Sequence, residues 1–160
     1  MIMSRGVEIE RKFLVEEIPS HLGAHPSAEI EQGYIAVTDD GVEVRIRRYG
    51  GDAFLTIKSG AGRVRLEEEI QIDERRFRAL WPLTEGRRIQ KRRQLVPTAD
   101  GLTMELDVYS GRLEGLKTAE LEFESPDAAA AFRPPSWFGR EVTDDPRYKN
   151  QRLATEGAPG

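Results

Sequence analysis

Carboxylates and bases recur at alternate positions along this 160-residue chain, and the two signs are unevenly distributed. Glu8 and Glu10, Glu105 and Asp107, and Glu120 and Glu122 are acidic pairs at i, i+2, while Arg45 and Arg47, and Lys91 and Arg93, are basic pairs at the same spacing. On an extended strand, residues two apart project from one face, so each pair sets like charges side by side. Such neighbours repel, and a surface selected only for stability intersperses the signs. The repeated cost points to a use. Carboxylate pairs offer hard oxygen ligands to a divalent cation, whereas Arg grips phosphate with a bidentate fork and Lys with a point charge. A metal-bound polyphosphate satisfies both sets together, which is the equipment of phosphoryl transfer to water.

Strands must position these groups, and period-two alternation predicts them. Segment 7–13 sets Glu8, Glu10 and Lys12 against Val7, Ile9 and Phe13. Arg45 and Arg47 share a face in 42–47, and Lys58 opposes Leu55 and Ile57 in 54–58. Further strands are expected over 63–72, 88–96, 102–109 and 119–123, with turns at Asp39-Asp40-Gly41, Gly50-Gly51-Asp52 and Asp100-Gly101. Short helices interrupt them. Asp73 reads as the N-cap of a helix carrying Phe77, Leu80 and Trp81 into the core and ending at Pro82. Ser125-Pro126-Asp127 leads a helix over 128–132, and a last one is expected from Asp145-Pro146 through Tyr148 and Leu153. Seven or eight strands joined mostly as hairpins predict an antiparallel sheet that closes into a barrel or nearly does so. With the charged faces inward, the apolar faces need covering. The few helices suffice for part of that surface, and a homodimer would cover the rest.

Composition narrows the alternatives. Lys+Arg 24 against Asp+Glu 28 leaves a net charge of −4, so overall basicity cannot recruit nucleic acid or an anionic membrane. The aromatic residues do not interleave with the bases as single-strand binding requires. No Cys is present, which removes disulfides, thiolate nucleophiles and Cys-ligated metal. His21 and His25 lie in a loop, away from any patterned segment. No apolar run approaches the roughly 20 residues of a membrane span, and the expectation is a soluble, cytoplasmic protein. One domain over 1–155 with a frayed tail at 156–160 fits the length.

The opening Glu8-x-Glu10-x-Lys12 resembles the signature of the CYTH superfamily, the triphosphate tunnel metalloenzymes. Further elements follow in the family's order: Gln32-Gly33-Tyr34, Glu43-Val44-Arg45-Ile46-Arg47, Thr56-Ile57-Lys58, Leu66 to Ile70, Lys91-Arg92-Arg93, Glu105 to Val108 and Glu120 to Phe123. Compact length and the ending Asp145 to Asn150 look most like the short bacterial members that act on inorganic triphosphate. The resemblance implies a mainly β (α+β) fold, an eight-stranded antiparallel closed barrel with a few short flanking helices, around a charged tunnel.

Carried onto this chain, the resemblance implies that Lys12, Arg45, Arg47, Lys58 and Arg93 hold phosphate oxygens. It makes Glu8, Glu10, Glu120 and Glu122 the main acids for Mg²⁺ or Mn²⁺, with Glu67, Glu69 and Asp107 nearby to orient water or take a second cation. Lys91 stands where many members carry Arg, and a desolvated Lys can exchange a proton whereas Arg effectively cannot. Tyr34 would be its hydrogen-bonding partner. Lys91, Tyr34 and Glu69 are thus the candidates for catalysis. The expected activity is metal-dependent hydrolysis of a small-molecule substrate, inorganic triphosphate, to pyrophosphate and phosphate. On the same fold, thiamine triphosphate hydrolysis and cyclisation of ATP are the alternatives. A non-catalytic polyphosphate- or nucleotide-binding module is the alternative from another class, and it leaves acids facing an anionic ligand without a reason.

Overall fold

The computed structural model of the protein describes residues 9–59 and 66–160. Its nine antiparallel strands are β1 (Glu10–Val15), β2 (Ser27–Val37), β3 (Val42–Tyr49), β4 (Asp52–Ser59), β5 (Glu67–Ile72), β6 (Arg88–Pro97), β7 (Thr103–Ser110), β8 (Lys117–Glu122) and β9 (Phe138–Glu141). They form one sheet in the order β5-β4-β3-β2-β6-β7-β8-β1-β9.

Among the described residues, the eight-stranded closed barrel expected from the sequence is therefore corrected to nine strands in an open sheet. One edge of β1 pairs with β8 and the other, at Phe13 and Val15, with β9, so the sheet ends on β5 and β9, which do not pair with each other. Neither β2 nor β9 was expected. In β2 the alternation is blurred by Gly33, whose Cβ, if present, would lie 2.5 Å from the Thr84 side chain: the turn at Trp81–Thr84 rests directly on the strand there.

Alternation sorts the sheet into two faces. Phe13, Val15, Leu106, Ala119, Leu121, Ile46 and Ala53 lie buried on the apolar side. Helix α1 (Glu74–Leu80) covers one half of it, packing Phe77 and Trp81 near Ile46 and Ala53. Helix α2 (Pro126–Ala131) covers the other half, with Phe132, Trp137 and Phe138. The expected caps are present: Asp73 accepts from the Arg76 N–H at 2.8 Å, and Ser125 from that of Ala128 at 3.0 Å. Burying side chains of this size stabilises the fold by about 1.5–3 kcal/mol each.

The last expected helix is split. A 3₁₀ turn at Pro146–Tyr148 ends at Lys149, which is extended at φ −67° and ψ 141°, and helix α3 (Asn150–Glu156) starts anew. This break leaves the Tyr148 carbonyl outside the helical ladder, free to accept from Lys12. The boundary expected at 155 falls inside α3, whose last residue, Glu156, pairs with Arg152. No helix among the described residues is long and apolar enough to cross a membrane.

Candidate functional site

Strand register places the predicted residues together. Glu10, Lys12, Tyr34, Arg45, Arg47, Lys58, Glu67, Glu69, Lys91, Arg93, Asp107, Glu120 and Glu122 all project from the face opposite the α1 and α2 cores. Glu8 lies outside the described residues.

On β3 the two bases of this face, Arg45 and Arg47, form no ion pair among the described residues, whereas Arg48 on the opposite face pairs with Glu31 and Glu74. Arg45 is 9% exposed, with the Thr56 hydroxyl at 3.5 Å and the Tyr34 hydroxyl beside it, and Thr56 in turn donates to Glu69 at 3.2 Å. The Nε atoms of Arg45 and Arg47 are buried without a hydrogen-bond partner among the described residues. Burial lowers the Arg47 pKa from its ordinary value, and the like charges of Arg45 and Arg93 lower it further. Such donors are costly to leave unsatisfied, so the pocket calls for an anion. Lys58 stands 4.0 Å from Glu67.

Across the sheet, on β6 and β7, the bases are already neutralised. Asp107 accepts from Arg93 through both oxygens, at 2.8 and 3.0 Å, and from Lys91 Nζ at 2.9 Å. Glu105 pairs with the remaining Arg93 nitrogen. Lys91 is 2% exposed, and burial lowers its pKa to about 8 against the opposing pull of Asp107. For Asp107, burial pushes upward, but Lys91 and Arg93 outweigh it and hold the carboxyl near 2.

The expected bond between Lys91 and Tyr34 is replaced by others. Tyr34 accepts from Gln32 Nε2 at 2.9 Å and packs with Ile89, Tyr109, Tyr148, Leu153 and Ala154. These side chains close one end of the charged face with the C-terminal segment. Lys12 ties that closure to the site, donating to the Tyr148 carbonyl at 2.7 Å. Burial lowers the pKa of Lys12, against the opposing charges of Glu120, Asp107 and Glu10.

The acids of β1, β7 and β8 meet in register. Glu10 lies directly opposite Glu122, and Glu120 lies between Lys12 on one neighbour and Glu105 on the other. Like charges placed directly across a sheet are destabilising, and carboxylate oxygens are the donors a hard divalent cation takes. In kind the donor set fits Mg²⁺ or Mn²⁺, although among the described residues no three acids converge closely enough to hold an ion by themselves.

Several contributors went unassigned in the sequence reading. Thr56, Tyr109 and Thr118 share the parity of Lys58, Asp107 and Glu120, two residues away, and that parity could have found them. The Tyr148 carbonyl had no such signal, being a backbone atom 136 residues from Lys12.

Comparison with known proteins agrees with this arrangement. Residues 6–148 match the model of the CYTH domain. An inorganic triphosphatase of Nitrosomonas europaea is 50% identical over 147 residues, covering 92% of this chain and 96% of that protein. One of Acetivibrio thermocellus is 38% identical over 151 residues, covering 92% and 93%. The crystal structure of an inorganic triphosphatase superposes with a TM-score of 0.78 at 47% identity, covering 98% of this chain and 100% of that one. By the span of the domain match and the identity to these relatives, the chain belongs to the CYTH domain family.

Proposed function

We infer that the protein is an inorganic triphosphatase, a metal-dependent hydrolase that adds water across a phosphoanhydride bond of inorganic triphosphate, releasing pyrophosphate and phosphate. The observation that carries this reading is the pair of buried Nε groups of Arg45 and Arg47, without a partner among the described residues, on a face shared with Lys12, Lys58 and Arg93. A ligand bearing phosphate at every position along it satisfies such a face. The names of the relatives agree.

In this reading Lys12, Arg45, Arg47, Lys58 and Arg93 bind the non-bridging oxygens and orient the chain. Glu8, Glu10, Glu120 and Glu122 hold Mg²⁺ or Mn²⁺, and the like-charge register of Glu10 with Glu122 supports that assignment. A cation held by these residues would supply positive charge to neutralise the phosphate oxygens. Glu69, anchored by Thr56, orients the attacking water, and Glu67 stands next to it on β5 for a second cation or for Lys58. Tyr34 keeps its hydroxyl beside Arg45 and steadies that guanidinium. Lys91 adds a buried positive charge able to change its protonation near neutral pH.

Phosphate release measured in parallel with inorganic triphosphate, ATP, thiamine triphosphate and pyrophosphate, with and without each metal, tests the reading. Inorganic triphosphate is expected to be the best substrate, and only with metal. Turnover of ATP as fast or faster, or cyclic AMP as the product, would sink it.

A further inference from the structure

Parity places Asp107 among the acids of the charged face, yet its surroundings are basic. Both carboxylate oxygens are engaged by charge-assisted donors: Arg93 Nε at 2.8 Å, Arg93 Nη2 at 3.0 Å and Lys91 Nζ at 2.9 Å. The side chain is almost wholly buried, as is that of Lys91. Its cross-strand neighbour on β8 is Thr118 rather than a glutamate. A carboxylate that ligates a cation keeps lone pairs toward open space and stands among other acids; this one stands between two cations that would repel an incoming metal ion.

We propose that Asp107 is a positioning residue, one that locks the Arg93 fork and the Lys91 ammonium into a single rigid unit and takes no part in holding the metal. The inference rests on the reading that Arg93 grips phosphate. Of the five N–H donors of a guanidinium, Nε and one from Nη2 go to Asp107, and Nη1 faces Glu105. What remains for substrate is a small, directed set, aimed before the ligand arrives. A donor aimed in advance favours the transition state over the ground state, because no reorganisation is needed when charge develops on the phosphoryl oxygens.

The decisive variant is Asp107→Asn, which keeps the shape but supplies an N–H where both bases need an acceptor. Mn²⁺ affinity without substrate is read by calorimetric titration, and kcat and KM for inorganic triphosphate are read at saturating metal. A positioning role predicts unchanged Mn²⁺ affinity within about twofold, a kcat at least tenfold lower and a KM that does not rise, since a negative charge near the anion has been removed. Loss of tenfold or more in Mn²⁺ affinity would make Asp107 a metal ligand and overturn the proposal; an unchanged kcat would reduce the residue to a structural part and overturn it equally. Should Asp107→Asn fail to fold, Asp107→Asn combined with Lys91→Met removes one buried charge of each sign, and on it only the Mn²⁺ titration is read: affinity within about twofold of that of Lys91→Met alone supports the proposal, and a tenfold loss relative to Lys91→Met overturns it. A wild-type protein without triphosphatase activity would refute the function proposed above, whereas the Mn²⁺ titration would still decide whether Asp107 is a ligand.

Discussion

Two limbs of one charged face carry similar bases and treat them in opposite ways. On β3, the Nε atoms of Arg45 and Arg47 are buried without a partner among the described residues, whereas on β6, Arg93 and Lys91 are bonded to Asp107 and, for Arg93, to Glu105 as well. One limb stores unspent donors. The other spends most of its donors inside the protein and gains rigidity. The lesson is that a run of bases on one face is not a uniform anion site. Its groups divide into those with donors left over among the described residues and those whose partner is already built in.

The sharpest way to break the contrast is to remove one arginine from each limb and compare stability with activity. Arg93→Gln strips Asp107 of its bidentate partner and leaves a buried carboxylate facing Lys91 alone. Breaking a buried pair in this way costs about 3–5 kcal/mol, to be seen as a lower midpoint in urea unfolding. Arg47→Gln is expected to leave the unfolding midpoint unchanged or raised, because a buried charge repelled by Arg45 and Arg93 has been removed. Its cost falls on turnover. Losing a charge-assisted contact worth about 1.5–3 kcal/mol lowers kcat/KM for inorganic triphosphate by roughly 10- to 150-fold. Equal stability losses in the two variants would erase the distinction between the limbs.

A smaller effect probes the acids that face one another. Glu120→Gln and Glu10→Gln keep size while removing one negative charge each, and folding should survive. Metal-dependent hydrolysis is expected to fall by at least about tenfold, equivalent to roughly 1.4 kcal/mol in the barrier. Rates at limiting metal decide it, and wild-type behaviour in both variants would leave the acidic pairs as surface charge.

The smallest effect concerns protonation of Lys91. With a pKa lowered to about 8, its ammonium is charged below that pH and neutral above it. If the charge supports turnover, the rate declines as pH rises through 8, to about half of its plateau at pH 8 itself. Lys91→Arg keeps its charge throughout this range, so its alkaline limb should stay flat. A decline with the same midpoint in the variant would assign the titration to another group.

The sequence by itself determined which residues share a face, because a strand's side chains alternate with period two whatever its neighbours are. That rule placed Arg45 with Arg47, Glu120 with Glu122 and Glu10 with Lys12, and the caps Asp73 and Ser125 were legible because an N-cap bond spans only three residues. Only the tertiary structure decided who neutralises whom. The pairing of Asp107 with Arg93 depends on the register of β7 against β6, and Lys12 meets the Tyr148 carbonyl only because the chain returns after 136 residues. The open sheet was hidden for the same reason. A four-residue β9 with no alternation to announce it pairs with the outer edge of β1, and which strands end a sheet is a property of distant segments competing for one row of hydrogen bonds.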